Sequence, residues 1–325
     1  MIPIAIAVDQ VSKRFSGRLA LDRFTLHVAP GELFGLVGPN GAGKTTLMKV
    51  LATLVPVTGG SAQVAGLDVS TQATDVKRLL GYMPDQPGVY QDMSVREFLE
   101  FFAAAFQLSG PRFRAAVDRA LERSDLTARQ HDSVEHLSFG MRQKLVLAKT
   151  LLHDPKVLLL DEPATGLDPI ARIELRQQLR QLQAEGVTIL ISSHILSDLE
   201  DVCTQIALIS AGRNAADADG NSVIQMHSPQ PPARLFEIDL LGEPSSAEQA
   251  LNTVPAARVL ESTQGRLLVE VTGNDEQVAG LLRTLVVAGV QVVRFHPREL
   301  GLEERYRLAF QKAPAPHASA KDPRP

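Results

Sequence analysis

"GPNGAGKTT", Gly38 to Thr46, lies between the apolar run "LFGLVG" (33–38) and a helix-like segment that starts at Lys44. It fits G-x-x-x-x-G-K-[ST] in the setting such a loop requires, after a strand and before a helix. Glycines let the backbone wrap closely around phosphate oxygens, while exposed N–H groups and a helix N-terminus supply positive potential. Gly38, Pro39, Asn40, Gly41, Ala42, Gly43, Lys44, Thr45 and Thr46 are thus the expected nucleotide cradle. Lys44 is expected on the β- and γ-phosphates and the Thr45 hydroxyl on Mg²⁺. A glycine-rich turn without chemistry would need neither the strand nor the helix.

Two further strand ends point to the same chemistry. "KVLLLDEP" (156–163) is an apolar run that ends in Asp161 and Glu162. A buried strand of this kind delivers one carboxylate to a Mg²⁺ beside the phosphate loop, and the next one to a water that attacks the γ-phosphate. By itself, an acidic pair after a strand is more often a helix cap or a solvated turn. "TILISSH" (188–194) ends in His194, whose imidazole is expected to donate to a phosphate oxygen.

Bulk composition sets the class. The chain has 325 residues, 44% of them hydrophobic and 22% charged, with a formal net charge of -4. That is a globular composition, large enough for one large and one smaller domain. The mild acidity gives no basic footprint for nucleic acid. The single cysteine, Cys203, excludes an intramolecular disulfide, lies in an apolar stretch and reads as a buried small residue. The opening "MIPIAIAVDQ" is too short and lacks the basic residues of a signal peptide, and no run of about 18 uncharged apolar residues occurs.

Through about residue 212, short apolar runs alternate with helical segments, which predicts an α/β fold with a parallel sheet buried on both faces and the site at the strands' carboxyl ends. A mainly helical insert, about 92–153, contains "SVREFLEFFAAAFQLS" and "PRFRAAVDRALERSDL" and leads into "HLSFGMRQKL" (136–145). There Ser138 reads as an N-cap, and Met141, Leu145, Ala148 and Leu152 as a core stripe. Residues 213–234 are rich in Gly, Pro, Ser and Asn, and read as a linker or loose hairpin. Residues 235–311 show a β-α-β-β-α-β order, the pattern of a small ferredoxin-like α+β domain, closed by a helix near "LEERYRLAFQ". The tail, 312–325, is too poor in apolar side chains to pack.

Phosphate loop, "LSFG", "LLLDEPATGLDP" and "SSH", in this order within about 155 residues, resemble the ATP-binding subunit of ABC transporters over about residues 5–212. The resemblance implies a P-loop NTPase with ATP and Mg²⁺ as cofactors. Phe15 matches the aromatic that stacks on adenine, and Asp168 of "GLDP" the D-loop, while also reading as N-cap to Pro169. Family members pair head to tail, so that Ser138 and the backbone at Phe139 and Gly140 would close over the γ-phosphate held by the partner. Phe139 replaces a glycine and Met141 a glutamine of the usual signature. After "LLGYMP", Asp85 takes the usual place of the Q-loop glutamine and Gln86 follows. Either Asp85 contacts the metal, favoured here through a water, or Gln86 takes the role by a one-residue shift.

The phosphate-loop surroundings, "LSxGM" and a small domain after the ATPase domain resemble the branch of the family with ABC-2-type exporters as membrane partners. This implies an ATPase acting as a homodimer or paired nucleotide-binding subunit on a separate permease, cytoplasmic and peripheral on the inner face of the membrane. The alternative is a soluble ABC ATPase that works on nucleic acid, ribosomes or protein complexes. A single cassette without sustained heptads counts against it. In the small domain, His296 and the pair Glu303/Glu304 read as strand-end and solvated residues, and its expected role is contact with a second copy, ahead of binding a regulator.

Overall fold

The computed structural model describes residues 4–86, 88–90, 92–200, 202–215, 223–225, 234–254 and 256–298. In chain order the elements are β1 (Ile6–Phe15), β2 (Arg18–Val28), β3 (Leu33–Val37), α1 (Lys44–Leu51), β4 (Gly59–Val64), β5 (Leu67–Asp68), α2 (Ala73–Leu79) and β6 (Leu80–Met83). Then follow α3 (Val95–Ala105), α4 (Gly110–Arg123), α5 (Phe139–Thr150), β7 (Val157–Asp161), α6 (Pro169–Ala184), β8 (Thr188–Ser193), α7 (Ser197–Glu200) and β9 (Gln205–Ser210). The remainder is β10 (Arg213–Ala215), β11 (Val223–Gln225), β12 (Arg234–Leu240), α8 (Ser245–Leu251), β13 (Ala257–Thr263), β14 (Arg266–Val271), α9 (Asp275–Val287) and β15 (Val292–Arg298).

Every residue of β3, β7 and β8 is buried, as strands covered on both faces must be. They form the parallel centre of a seven-stranded sheet, ordered β10-β9-β3-β8-β7-β6 with β11 also on β9, so the carboxyl ends of β3, β7 and β8 share one edge. A second sheet, β2-β1-β4-β5, is antiparallel and was not legible as such in the sequence. Its strands β1 and β2 alternate imperfectly, because irregular register and the left-handed Gln10 (φ 51°) and Arg23 (φ 49°) break the period of two. One apolar core, including Phe24, Phe34, Leu47, Met48 and Ile209, joins this sheet, α1 and the parallel sheet. The helical insert has its own core, in which Phe98, Leu99, Val117 and Leu121 meet Leu145 and Ala148 of α5 and Leu152 just beyond it.

Two expectations change. The helix expected at about 195–203 is the four-residue α7, and of the linker or loose hairpin expected at 213–234 the structure shows strand pairing, in β10 and β11. β10 and β11 both pair antiparallel with β9, because "RNA" and "VIQ" supply the backbone that closes this edge. The chain accordingly divides after Met226 rather than at residue 212.

The second unit, described over 234–298, folds in the β-α-β-β-α-β order as one antiparallel sheet, β13-β14-β12-β15, the ferredoxin-like arrangement. Ile238, Leu267, Val269 and Val271 pack there on Ala247, Leu251, Leu281 and Leu285 of the two helices. The closing helix near "LEERYRLAFQ", the pair Glu303/Glu304 and the tail lie outside the described residues.

Candidate functional site

α1 begins directly out of the phosphate loop. Its N-cap, Gly43, has φ +112°, a left-handed conformation that glycine adopts without the steric penalty of a side chain. No side chain caps this helix and no acid stands in its first turn, so the first N–H groups remain directed at an incoming anion. Lys44 is almost wholly buried. Its ammonium donates to the carbonyls of Gly38 (2.7 Å) and Pro39 (3.3 Å), and lies 3.1 Å from Oε1 of Glu162.

The carboxyl ends of β7 and β8 hold the acidic half. Ser192 Oγ donates to Asp161 Oδ1 at 2.7 Å and accepts from the Glu162 N–H at 3.1 Å, so one hydroxyl orients two successive residues. Glu162 itself sits at φ +51°, uncommon for a residue with a Cβ. Its Oε2 meets His194 Nδ1 at 2.6 Å and accepts from Thr165 Oγ1 at 3.3 Å.

Burial and bonding act oppositely on these carboxyls. Burial, with repulsion from Asp85 and Glu162, pushes Asp161 above the ordinary carboxylate range despite hydrogen bonds from Ser192 and Thr45. Glu162 is buried too, but the hydrogen bonds and charges of His194 and Lys44 outweigh that and hold it below the range. Asp161 Oδ2 is buried and without a hydrogen-bond partner. A hard cation suits such an oxygen, and the Thr45 hydroxyl beside it adds a second oxygen ligand. Among the described residues no group of three or more His, Cys, Asp or Glu could hold a metal. Mg²⁺ here would therefore complete its shell with phosphate and water, as it commonly does.

A cleft of about 940 Å³ opens over this cluster, lined among others by Phe15, Arg18, Asn40 to Thr46, Asp85, Glu162 and His194. Phe15 is half exposed and carries the Lys13 ammonium 4.8 Å from its ring centroid. Asp85 lines both this cleft and an adjoining cavity of about 390 Å³, whereas Gln86 lines only the latter, with Phe139, Arg142, Gln143 and Gly166. Ser138 caps α5 by accepting from Met141 N–H at 3.2 Å, and neither it, Phe139 nor Gly140 lines the cleft of its own chain. Asp168 caps α6 through the N–H groups of Ile170 (3.0 Å) and Ala171 (2.9 Å). Three residues here had no role in the sequence reading: Ser192, Thr165 and Arg18. A signal existed for Arg18 alone, which pairs with Phe15 across the tight turn "FSGR".

A sequence profile of the family described as "ABC transporter" matches residues 21–165. The daunorubicin resistance ATP-binding protein DrrA3 of Streptomyces coeruleorubidus is 35% identical over 305 residues, covering 94% of this chain and 95% of that protein. This chain belongs to the ABC transporter family. It is an ATP-binding subunit and an ATPase, with a P-loop NTPase fold. The Nod factor export ATP-binding protein I of Burkholderia pseudomallei is 39% identical over 235 residues, 70% of this chain and 77% of that one. Among solved structures, an ATP-binding subunit of an ABC transporter superposes with a TM-score of 0.59 at 30% identity, over 64% of this chain and 87% of its own. A dimeric bacterial ABC transporter cassette shares the fold, with a TM-score of 0.61 at 21% identity over 69% of this chain and 99% of its own.

Proposed function

We propose that this ABC ATPase hydrolyses MgATP between two paired copies of its nucleotide-binding unit and thereby drives export through a separate ABC-2-type membrane protein. The observation that carries the hydrolytic part is Glu162, held between Lys44 and His194 beside the unpaired oxygen of Asp161. Lys44 leaves Glu162 and the loop carbonyls for the β- and γ-phosphates, and Glu162, relieved of one partner, accepts the proton of the attacking water. His194 Nδ1 faces Glu162, which leaves Nε2 as the ring nitrogen that turns to a phosphate oxygen. Thr45 and Asp161 would hold Mg²⁺, with Asp85 contacting it through water. Bound Mg²⁺ supplies neutralisation of the charge that develops on the transferring phosphoryl group. Phe15 stacks on adenine, and Ser138, Phe139 and Gly140 act on the nucleotide of the paired copy.

Glu162→Gln tests this. It keeps the shape of the site and removes the base, so ATP turnover falls at least ~100-fold and an ATP-dependent dimer accumulates in sedimentation velocity runs. Turnover at the parental rate in that variant would remove Glu162 from the mechanism.

Export is supported by the relatives, which are named for daunorubicin resistance and Nod factor export. The alternative, a soluble ATPase acting on nucleic acid or ribosomes, has no such support. Among the described residues no helix is long and apolar enough to cross a membrane. A membrane partner has a surface to meet: Tyr90 and Phe101, exposed to 51% and 44%, pack edge to face at 5.3 Å shortly after Asp85 and Gln86, and Leu54 is exposed as well. In this reading the chain sits at the cytoplasmic face, bound through its permease, and cargo choice rests with the permease. Phe101→Asp then loses co-purification with the membrane protein while the isolated subunit keeps its basal ATPase rate.

A further inference from the structure

Phe139 is half exposed, yet its ring is engaged within its own chain. A Cβ placed on Gly166 would lie 3.0 Å from Cε1 and 3.2 Å from Cζ of that ring. Gly166 adopts φ +78°, which leaves the backbone bare toward the ring. The neighbouring Gly140 faces the same stretch, with Ala171 Cβ and Leu167 Cδ2 at 3.7 and 3.8 Å from where its own Cβ would be. Two successive residues at the start of α5 are thus pressed against the segment that runs from Glu162 to the start of α6. That segment is tied to the site at one end through Thr165 and Glu162, and to α6 at the other through the Asp168 cap.

We propose that Phe139 is a positioning residue, its ring clasping Gly166 so that the N-terminus of α5 and the Glu162-to-Asp168 segment are presented to a paired copy as one unit. A flat ring on a bare glycine is a contact that glycine at position 139 cannot make, because the segment would then lack an apolar partner at that point. The role is separate from nucleotide binding within the chain, since Phe139 does not line the cleft. The inference rests on the proposed pairing of two copies, and its test separates the two.

The experiment uses the full chain carrying Glu162→Gln with MgATP, and sedimentation equilibrium as the readout of the dimer dissociation constant. Adding Phe139→Gly raises that constant about tenfold, and Phe139→Tyr restores it. At protein concentrations where the chain is monomeric, affinity for a fluorescent ATP analogue stays within about twofold. Gly166→Ala, which pushes a methyl group at the ring, weakens the dimer more in the parental background than beside Phe139→Gly. The clasp is overturned by any of three results: an equally tight dimer with Phe139→Gly, an equal loss of monomer ATP affinity, or a Gly166→Ala cost identical in both backgrounds. If Glu162→Gln with Phe139 intact stays monomeric in MgATP, the pairing itself fails and the clasp falls with it.

Discussion

Asp161 and Glu162 are consecutive, and their surroundings push their carboxyls in opposite directions. For Asp161 the folded value lies above the unfolded one, so its burial costs nothing below the unfolded carboxylate range. The cost grows as pH rises from the unfolded value through the folded one, and is full above it. Asp161→Asn is therefore expected to raise the stability of the nucleotide-free protein at pH 7 by on the order of 1–3 kcal/mol, because it replaces a buried unpaired oxygen charge. In urea titrations the gain disappears toward pH 4, and the same variant loses Mg²⁺-dependent ATPase activity. A gain that persists unchanged at acid pH would show that the charge is not its source. This is strain retained at a site for function. Asp161, Glu162 and His194 were legible because each ends an apolar run. Ser192, which orients the first two, was not: a serine inside "ILISSH" looks like any strand residue until the register sets it opposite Asp161.

Among the elements, α5 was readable from its cap and its stripe, since both are local. The antiparallel sheet around β1 was not, because its bulges erase the alternation that announces a strand. What fastens the end of α5 to β6 is also non-local. His153 Nε2 meets the Leu80 carbonyl at 3.0 Å and its ring stacks on Phe106 at 4.1 Å, while Nδ1 is buried without a partner. Burial lowers the pKa of His153 from 6.5, despite the Leu80 carbonyl and Asp154. The unfolded chain then takes up its proton first, so folding stability contributed here is full above pH 6.5 and declines as pH falls through that value. His153→Gln keeps a donor for Leu80 and cannot titrate. Urea midpoints at pH 7.5 and 5.5 should differ less for this variant than for the parent, and an equal difference would assign the acid sensitivity elsewhere.

At the scale of the whole molecule, two units with separate cores predict two calorimetric transitions. Ligand binds the native ATPase unit only, so MgATP at 100 times its dissociation constant stabilises that transition by about 2.7 kcal/mol. The transition of the unit at 234–298 stays where it is; a joint shift of both would mean that they unfold together. The order of the parallel sheet and of the second unit could be read from the alternation of apolar runs and helices. The division after Met226 could not, because "RNA" and "VIQ" are too short and too polar to stand out as strands.

Those two fragments have a consequence for life at high concentration. Ala215 pairs with Leu208 and Val223 with the next residue, Ala207, so β9 is covered along its length by two three-residue strands. An uninterrupted outer strand would itself offer a row of N–H and C=O groups to a neighbouring chain. Two three-residue pieces offer no continuous template, and the antiparallel patch shields the parallel sheet from polymerising edge to edge.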